Sequence, residues 1–275
     1  MDCLDRMNVQ SQSQLTAIFP DQDFQFSFRA HPGDAKKFFA PTENHSDVMD
    51  ERRHWLANDP GHHLLKEPDA DPLIEETCHL AREWGTVKGE PSDLRSLGES
   101  WESDFVLLDE NDEGQYVMRA AVICFPSSWS PEEKLGLPVY EIHSVVPTLN
   151  RDLGARIDRF LTNLKPDAAW ERANWGLSGS PELNQHPTRA NRRLKPPFGT
   201  EEAWVRIENQ ILLRLPKTGG ILFGIRLLNI SLAEVKRHPQ ACKGLHRAIA
   251  TMPDEVADYK SITQSREHLL SLLAD

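Results

Sequence analysis

Apolar positions along the first hundred residues recur mainly at helical spacing; beyond residue 100 the period changes to two. Phe24, Phe26 and Phe28 alternate and predict a short strand ended by Pro32-Gly33. Val48, Trp55 and Leu56 predict a helix over residues 47–57, stopped by Asp59-Pro60-Gly61. Leu73, Thr77, Leu80 and Trp84 share one face of a second helix over 71–84, with Asp71 as its cap and Pro72 in its first turn. Residues 88–100 read as loop. Then Asp104–Asp109 and Gln115–Phe125 read as two strands joined by the tight turn Asn111-Asp-Glu-Gly114. Ser130-Pro131-Glu132-Glu133 opens a short helix that ends by Gly136, and residues 151–164 carry an amphipathic stripe. Residues 178–200, with four prolines and two glycines, read as loop. Trp204–Leu215 and Ile221–Leu228 predict a second hairpin across Pro216–Gly220, with Trp204, Arg206, Glu208 and Gln210 on one face. Helices are expected at 232–237, 239–251 and 265–273. Separated hairpins do not alternate as parallel β-α-β units, so the pattern predicts an antiparallel sheet in an α+β fold.

Composition narrows the chemistry. The 275 residues carry 42 acidic against 31 basic side chains, a net charge of −11, which argues against broad nucleic-acid binding. Residues 1–20 are polar and are expected to be disordered. They show no apolar leader, and no apolar run is long enough for a bilayer, so no membrane partner and a cytoplasmic location are expected. The four cysteines stand far apart with no Cys-x-x-Cys, which favours reduced thiols. No Gly-x-Gly-x-x-Gly or Walker sequence occurs, so no built-in nucleotide site is expected.

Four stretches are distinctive: Ala121–Gly136 (AVICFPSSWSPEEKLG), Glu141–Pro147 (EIHSVVP), Arg172–Trp175 (RANW) and Val205–Gly219 (VRIENQILLRLPKTG). In this order and spacing the chain resembles the haem-dependent oxidative N-demethylase family, over roughly residues 25–250 and most strongly over 101–228. That resemblance implies a PAS-like antiparallel sheet holding a non-covalent haem b with a histidine ligand. It implies oxidation of a small secondary amine of the dimethylamine kind, with dioxygen as co-substrate and formaldehyde released. Electrons would come from a separate NADPH-dependent flavin and iron–sulfur reductase. The organisation then reads as a disordered N-terminus (1–20), a helical N-terminal extension (21–100), a PAS-like haem-binding core (101–230) and C-terminal helices (231–275). Two alternatives stay open: a non-catalytic haem- or ligand-sensing PAS-like protein, and an interaction module with a degenerate pocket.

The candidate residues follow from what haem and an amine require. His143 lies in an apolar frame of Ile142, Val145, Val146 and Pro147, on the family's Ile-His motif. It is the first choice for iron, with a distal role or simple packing as alternatives, and Glu141 or Ser144 would orient its ring. His186 is the second choice, while His54, His62 and His63 read as solvated. A thiolate site is not expected, since Phe223-Gly224-Ile225-Arg226 is followed by no cysteine. Haem propionates need cations, and Arg206, Arg214 and Arg226 on the second hairpin are expected to serve ahead of the loop residues Arg189, Arg192, Arg193 and Lys195. A protonated amine needs a carboxylate or aromatic walls, which nominates Glu208 and Asp104 with Trp129, and Trp175 beside the cofactor; packing is the competing role for both tryptophans.

Overall fold

The structure, a computed structural model, describes residues 14–166 and 168–274. Seven strands form one antiparallel sheet: β1 (His31–Gly33), β2 (Leu64–Lys66), β3 (Asp104–Glu110), β4 (Tyr116–Val122), β5 (Ala169–Ser178), β6 (Trp204–Arg214) and β7 (Ile221–Ser231). Their spatial order is β1-β5-β6-β7-β3-β4-β2. The two predicted hairpins, β3–β4 and β6–β7, sit at the centre, β7 beside β3. The first closes where Asn111 Oδ1 accepts from the amides of Glu113 and Gln115 and Gly114 takes a φ of 77°.

Strand alternation sorts the core into three clusters. Phe105, Leu107, Ile211, Leu213 and Leu222 turn to the N-terminal helices, where Phe39, Leu73 and Trp101 are buried. Further along the same face, Val205 and Ile207 meet the C-terminal helices through Leu245, Ile249 and Leu269. On the opposite face Val106, Leu108, Met118 and Leu212 pack against Ile157 and Leu161 of the helix Ala155–Asn163. That helix covers only part of its face, and the uncovered remainder holds the candidate site.

Several elements differ from expectation. Asp71–Trp84 is helical as predicted, but Ala70 occupies the cap position and Asp71 instead meets Lys66. Ser130 makes no capping bond to the Pro131–Glu133 turn. The Phe24–Phe28 segment forms no ladder. Phe24 packs edge-on to Trp175 and Phe28 to Phe160, so these rings pack into two clusters. The strand begins instead at the expected stop, with Pro32 tolerated because β1 lies at the sheet edge. Leu94–Gly98 is helical inside the expected loop, closed by a capping box between Asp93 and Ser96. A further helix, Asp254–Tyr259, was not expected. Of the segment expected to be disordered, residues 1–13 lie outside the described part; residues 14–18 are helical, and Leu15 and Phe19 are buried against the C-terminal helices. Among the described residues, no helix is long and apolar enough to cross a membrane.

Candidate functional site

β5 sits at the sheet edge beyond its short pairing with β1, and its even-numbered residues face away from the terminal helices. The register places Arg172 opposite Gln210, Asn174 opposite Glu208 and Gly176 opposite Arg206. A polar patch therefore lies on a sheet face that is apolar elsewhere. A side chain added at Gly176 would meet nothing within 4 Å, so the space above the patch is open there.

Glu208 is the patch's carboxylate. Its Oε1 accepts from the Ser127 hydroxyl at 2.7 Å, and its Oε2 accepts from the amides of Asn174 (3.2 Å) and Gln210 (3.1 Å). These three donors orient the group without a direct ion pair. Its charge reaches several neighbours: burial lowers the Lys260 ammonium to about 8 and the Glu208 charge opposes that shift, while burial and then Glu208 raise the Tyr259 phenol. Lys260 donates to the Trp175 carbonyl at 2.8 Å, at the β5 edge.

His143 ends the helix Val139–His143 and is half-buried. Burial, reinforced by the positive charge of Arg172, lowers its pKa to about 4, so the imidazole is neutral near pH 7. Neither Glu141 nor Ser144 orients it: the Ser144 hydroxyl donates to the Glu141 carbonyl. Arg172 is lowered by burial against the opposing charge of Glu208; its guanidinium lies 5.2 Å from the Phe28 ring, and its Nε is buried with no hydrogen-bond partner. A neutral imidazole with no hydrogen bond, beside an under-satisfied buried cation, is a donor set suited to a metal-bearing ligand that also carries anionic groups.

Among the described residues, three non-glycine residues have positive φ: Ser128 (63°), Thr148 (62°) and Ser261 (56°). They lie beside Ser127, just beyond the His143 helix, and beside Lys260, and each costs of order 1–3 kcal/mol. A single π-turn, Asn150–Gly154, follows Thr148.

The other expected residues are tied into the fold, Arg206 beside the patch and the rest away from it. Arg206 is buried, donating to Ser127 Oγ (2.8 Å) and to the carbonyls of Phe125 (2.8 Å), Leu183 (2.6 Å) and Glu182 (3.1 Å); burial lowers its pKa to about 10. Arg214 donates to Leu161, Leu164 and Gly219 carbonyls and to the Tyr116 hydroxyl, closing the end of the helix Ala155–Asn163. Arg226 donates to Ala40 and faces Glu102 at 4.0 Å near the N-terminal helices. Arg206 and Arg214 use every guanidinium nitrogen within the fold, while the bonds of Arg226 engage Nε and Nη2. Asp104 is buried, pairing with Arg52 at 2.5 Å and accepting from the amides of Cys124 and Phe125, so it ties β3 to the chain beyond β4. Trp175 packs with Phe19 among the C-terminal helices, and Trp129 packs with the cluster around Leu161. Of the loop cations, Arg189 stacks 4.2 Å from the Trp55 ring and Arg192 pairs with Glu202. His186 is buried with both ring nitrogens engaged, by Thr188 and Glu132. His63 is buried too, not solvated, and its Nδ1 meets the Ile123 carbonyl at 2.7 Å. Arg172 is the site residue that pattern reading passed over; its signal was the Arg172–Trp175 motif itself.

Two of the described cysteines are buried thiols. Burial pushes the Cys78 thiol up to about 11 and Cys124 up to about 12, so neither supplies a thiolate near neutrality. Residues 71–270, well over half of the chain, match a family described as haem-dependent oxidative N-demethylase, alpha subunit-like, a description that carries haem dependence, oxidative chemistry and a partner subunit. The chain therefore belongs to the haem-dependent oxidative N-demethylase, alpha subunit-like family.

Proposed function

We propose that this protein binds haem b non-covalently over the polar patch of its sheet, read as PAS-like, and oxidatively N-demethylates a small secondary amine. The observation that carries the reading is the juxtaposition of neutral His143 with the orphaned Arg172 beside Glu208. In this assignment His143 supplies the imidazole nitrogen for iron, Arg172 receives a propionate, and Glu208 receives the protonated amine. When bound, the haem supplies the activation of dioxygen. The overall reaction consumes the amine, dioxygen, two electrons and two protons; it yields the shortened amine, formaldehyde and water. The electrons come from a separate NADPH-dependent flavin and iron–sulfur reductase, and the compartment is the cytoplasm.

This chain's own groups do the positioning. Glu208, with both oxygens held by Ser127, Asn174 and Gln210, presents a fixed carboxylate to an ammonium and accepts its proton when the free amine is needed. Desolvation keeps His143 unprotonated, so no proton competes with a metal for the ring until the solution is acidic. His143→Gly is expected to lose the wild-type Soret band and to recover it in part with added imidazole. An unchanged band in that variant refutes the ligand assignment. Formaldehyde release with dimethylamine and a flavin and iron–sulfur reductase tests the reaction: a haem-loaded protein that consumes no amine above background supports the sensing alternative. Acid–acetone extraction should remove the colour.

A further inference from the structure

We propose that His62, Glu132 and His186 bind one divalent transition-metal ion of the zinc class, through side chains that the proposed haem site does not use. The three residues come from three distant segments: the short helix Pro60–His63, the turn Pro131–Glu133 and the loop after Leu183. Their donor atoms all lie within 4.8 Å of one another. His62 Nδ1 is 2.6 Å from Glu132 Oε1, and His186 Nε2 is 3.2 Å from Oε1 and 3.1 Å from Oε2. The two imidazole rings stand 4.5 Å apart, tilted by 37°.

Tetrahedral zinc, with bonds of about 2.0–2.2 Å, needs donors separated by about 3.3 Å. The His186–Glu132 edge is already at that length. The His62–Glu132 edge, at 2.6 Å, is short by about 0.7 Å against that tetrahedral spacing, and Glu132, 28% exposed at its side chain, has room to withdraw. His186 Nδ1 lies 2.8 Å from Thr188 Oγ1, the kind of oxygen at which a ligating histidine aims its protonated second nitrogen. His62 Nε2 lies 3.8 Å from Asp59 Oδ1, an ion-pair distance rather than a hydrogen bond. His63 is not a ligand, because its Nδ1 is committed to the Ile123 carbonyl and its Nε2 faces the Asn184 amide at 3.3 Å. Two imidazoles and one carboxylate suit zinc, cobalt or nickel rather than calcium or magnesium.

The competing arrangement has no metal, with both rings simply donating to Glu132. The Thr188 amide, 3.3 Å from His186 Nδ1, favours that tautomer. An ion would brace the loop whose Glu182 and Leu183 carbonyls hold Arg206, so it would stiffen the wall that carries Ser127. This inference does not depend on the haem assignment.

The full chain is stripped with a chelator and titrated with Co(II), whose visible d–d bands report binding, then challenged with Zn(II). One equivalent of cobalt should bind and be displaced by zinc, with the Soret region of haem-loaded protein unchanged. Glu132→Gln keeps a side chain able to hydrogen-bond and should weaken cobalt at least about 100-fold, as should His62→Ala; Thr188→Ala should weaken it about 10-fold. Circular dichroism checks that the variants are folded. Uptake by the wild-type chain no greater than by the Glu132→Gln, His62→Ala double variant overturns the proposal, and leaves the hydrogen-bonded trio as the structure's account.

Discussion

Arg206→Met separates two uses of a buried charge, holding loops or binding a ligand. The guanidinium makes four charge-assisted bonds of 2.6–3.1 Å, to Ser127 Oγ and the carbonyls of Phe125, Glu182 and Leu183. At about 1.5 kcal/mol net for each, their loss removes about 6 kcal/mol. Against that, burial costs the charged form something: the fall from 12.5 to about 10 corresponds to about 3 kcal/mol, which methionine does not incur. The net expectation is a loss of about 3 kcal/mol, at the low end for breaking one side of a buried charged network. A domain with a stability of about 5–15 kcal/mol survives this. Urea unfolding followed by tryptophan fluorescence measures the loss, and haem titration of the refolded variant measures retention. Stability should fall by about 3 kcal/mol while haem affinity changes only a few-fold, and Arg206→Lys should recover little, because an ammonium cannot span the planar fork. A stability change under about 1 kcal/mol together with a tenfold or greater loss of haem would refute the reasoning and return Arg206 to the propionates.

Arg172→Met should behave in the opposite way, weakening haem at least about 10-fold in the same titration while changing stability by less than about 1 kcal/mol, because its Nε already lacks a partner. Gly244→Ala should cost about 2 kcal/mol or more, since its Cβ would fall 1.9 Å from the Phe19 carbonyl oxygen; limited proteolysis should then cut near residues 14–20 first. Glu102 is raised by burial but held below its ordinary 4.5 overall by bonds from Thr42 and His45 and by Arg226. It stabilises the fold fully above about pH 4.5 and loses that contribution as pH falls through its lowered value, so Glu102→Gln should flatten the acid limb of a stability–pH curve.

The elements legible from pattern alone are those whose signals are local. The helix over 71–84 and the turns of both hairpins rest on spacing, Pro72, Asn111 and Gly219, and they form where expected. β5 escaped notice because its two faces meet different surroundings. Trp175 and Leu177 enter the C-terminal cluster, while Arg172, Asn174 and Gly176 line an open patch, so no apolar alternation marks the strand. Leu94–Gly98 escaped because five residues are too few for a periodic stripe, and only its capping box betrays it.

The family resemblance and the choice of Glu208 and His143 came from motifs that survive without coordinates. The roles of the arginines did not. Arg206, Arg214 and Arg226 look equivalent on a hairpin, and they differ only because the loops around Phe125 and Leu183, the end of the helix Ala155–Asn163 and the Ala40 carbonyl fold back onto them. Asp104 likewise became a buried anchor only because Arg52 and two amides converge on it. Residue types and local spacing determine which elements form and which chemistries are available. Desolvation and hydrogen-bond satisfaction are properties of the assembled neighbourhood, so tertiary structure alone decided that Arg172 keeps a buried Nε without a partner and that burial lowers His143 to about 4.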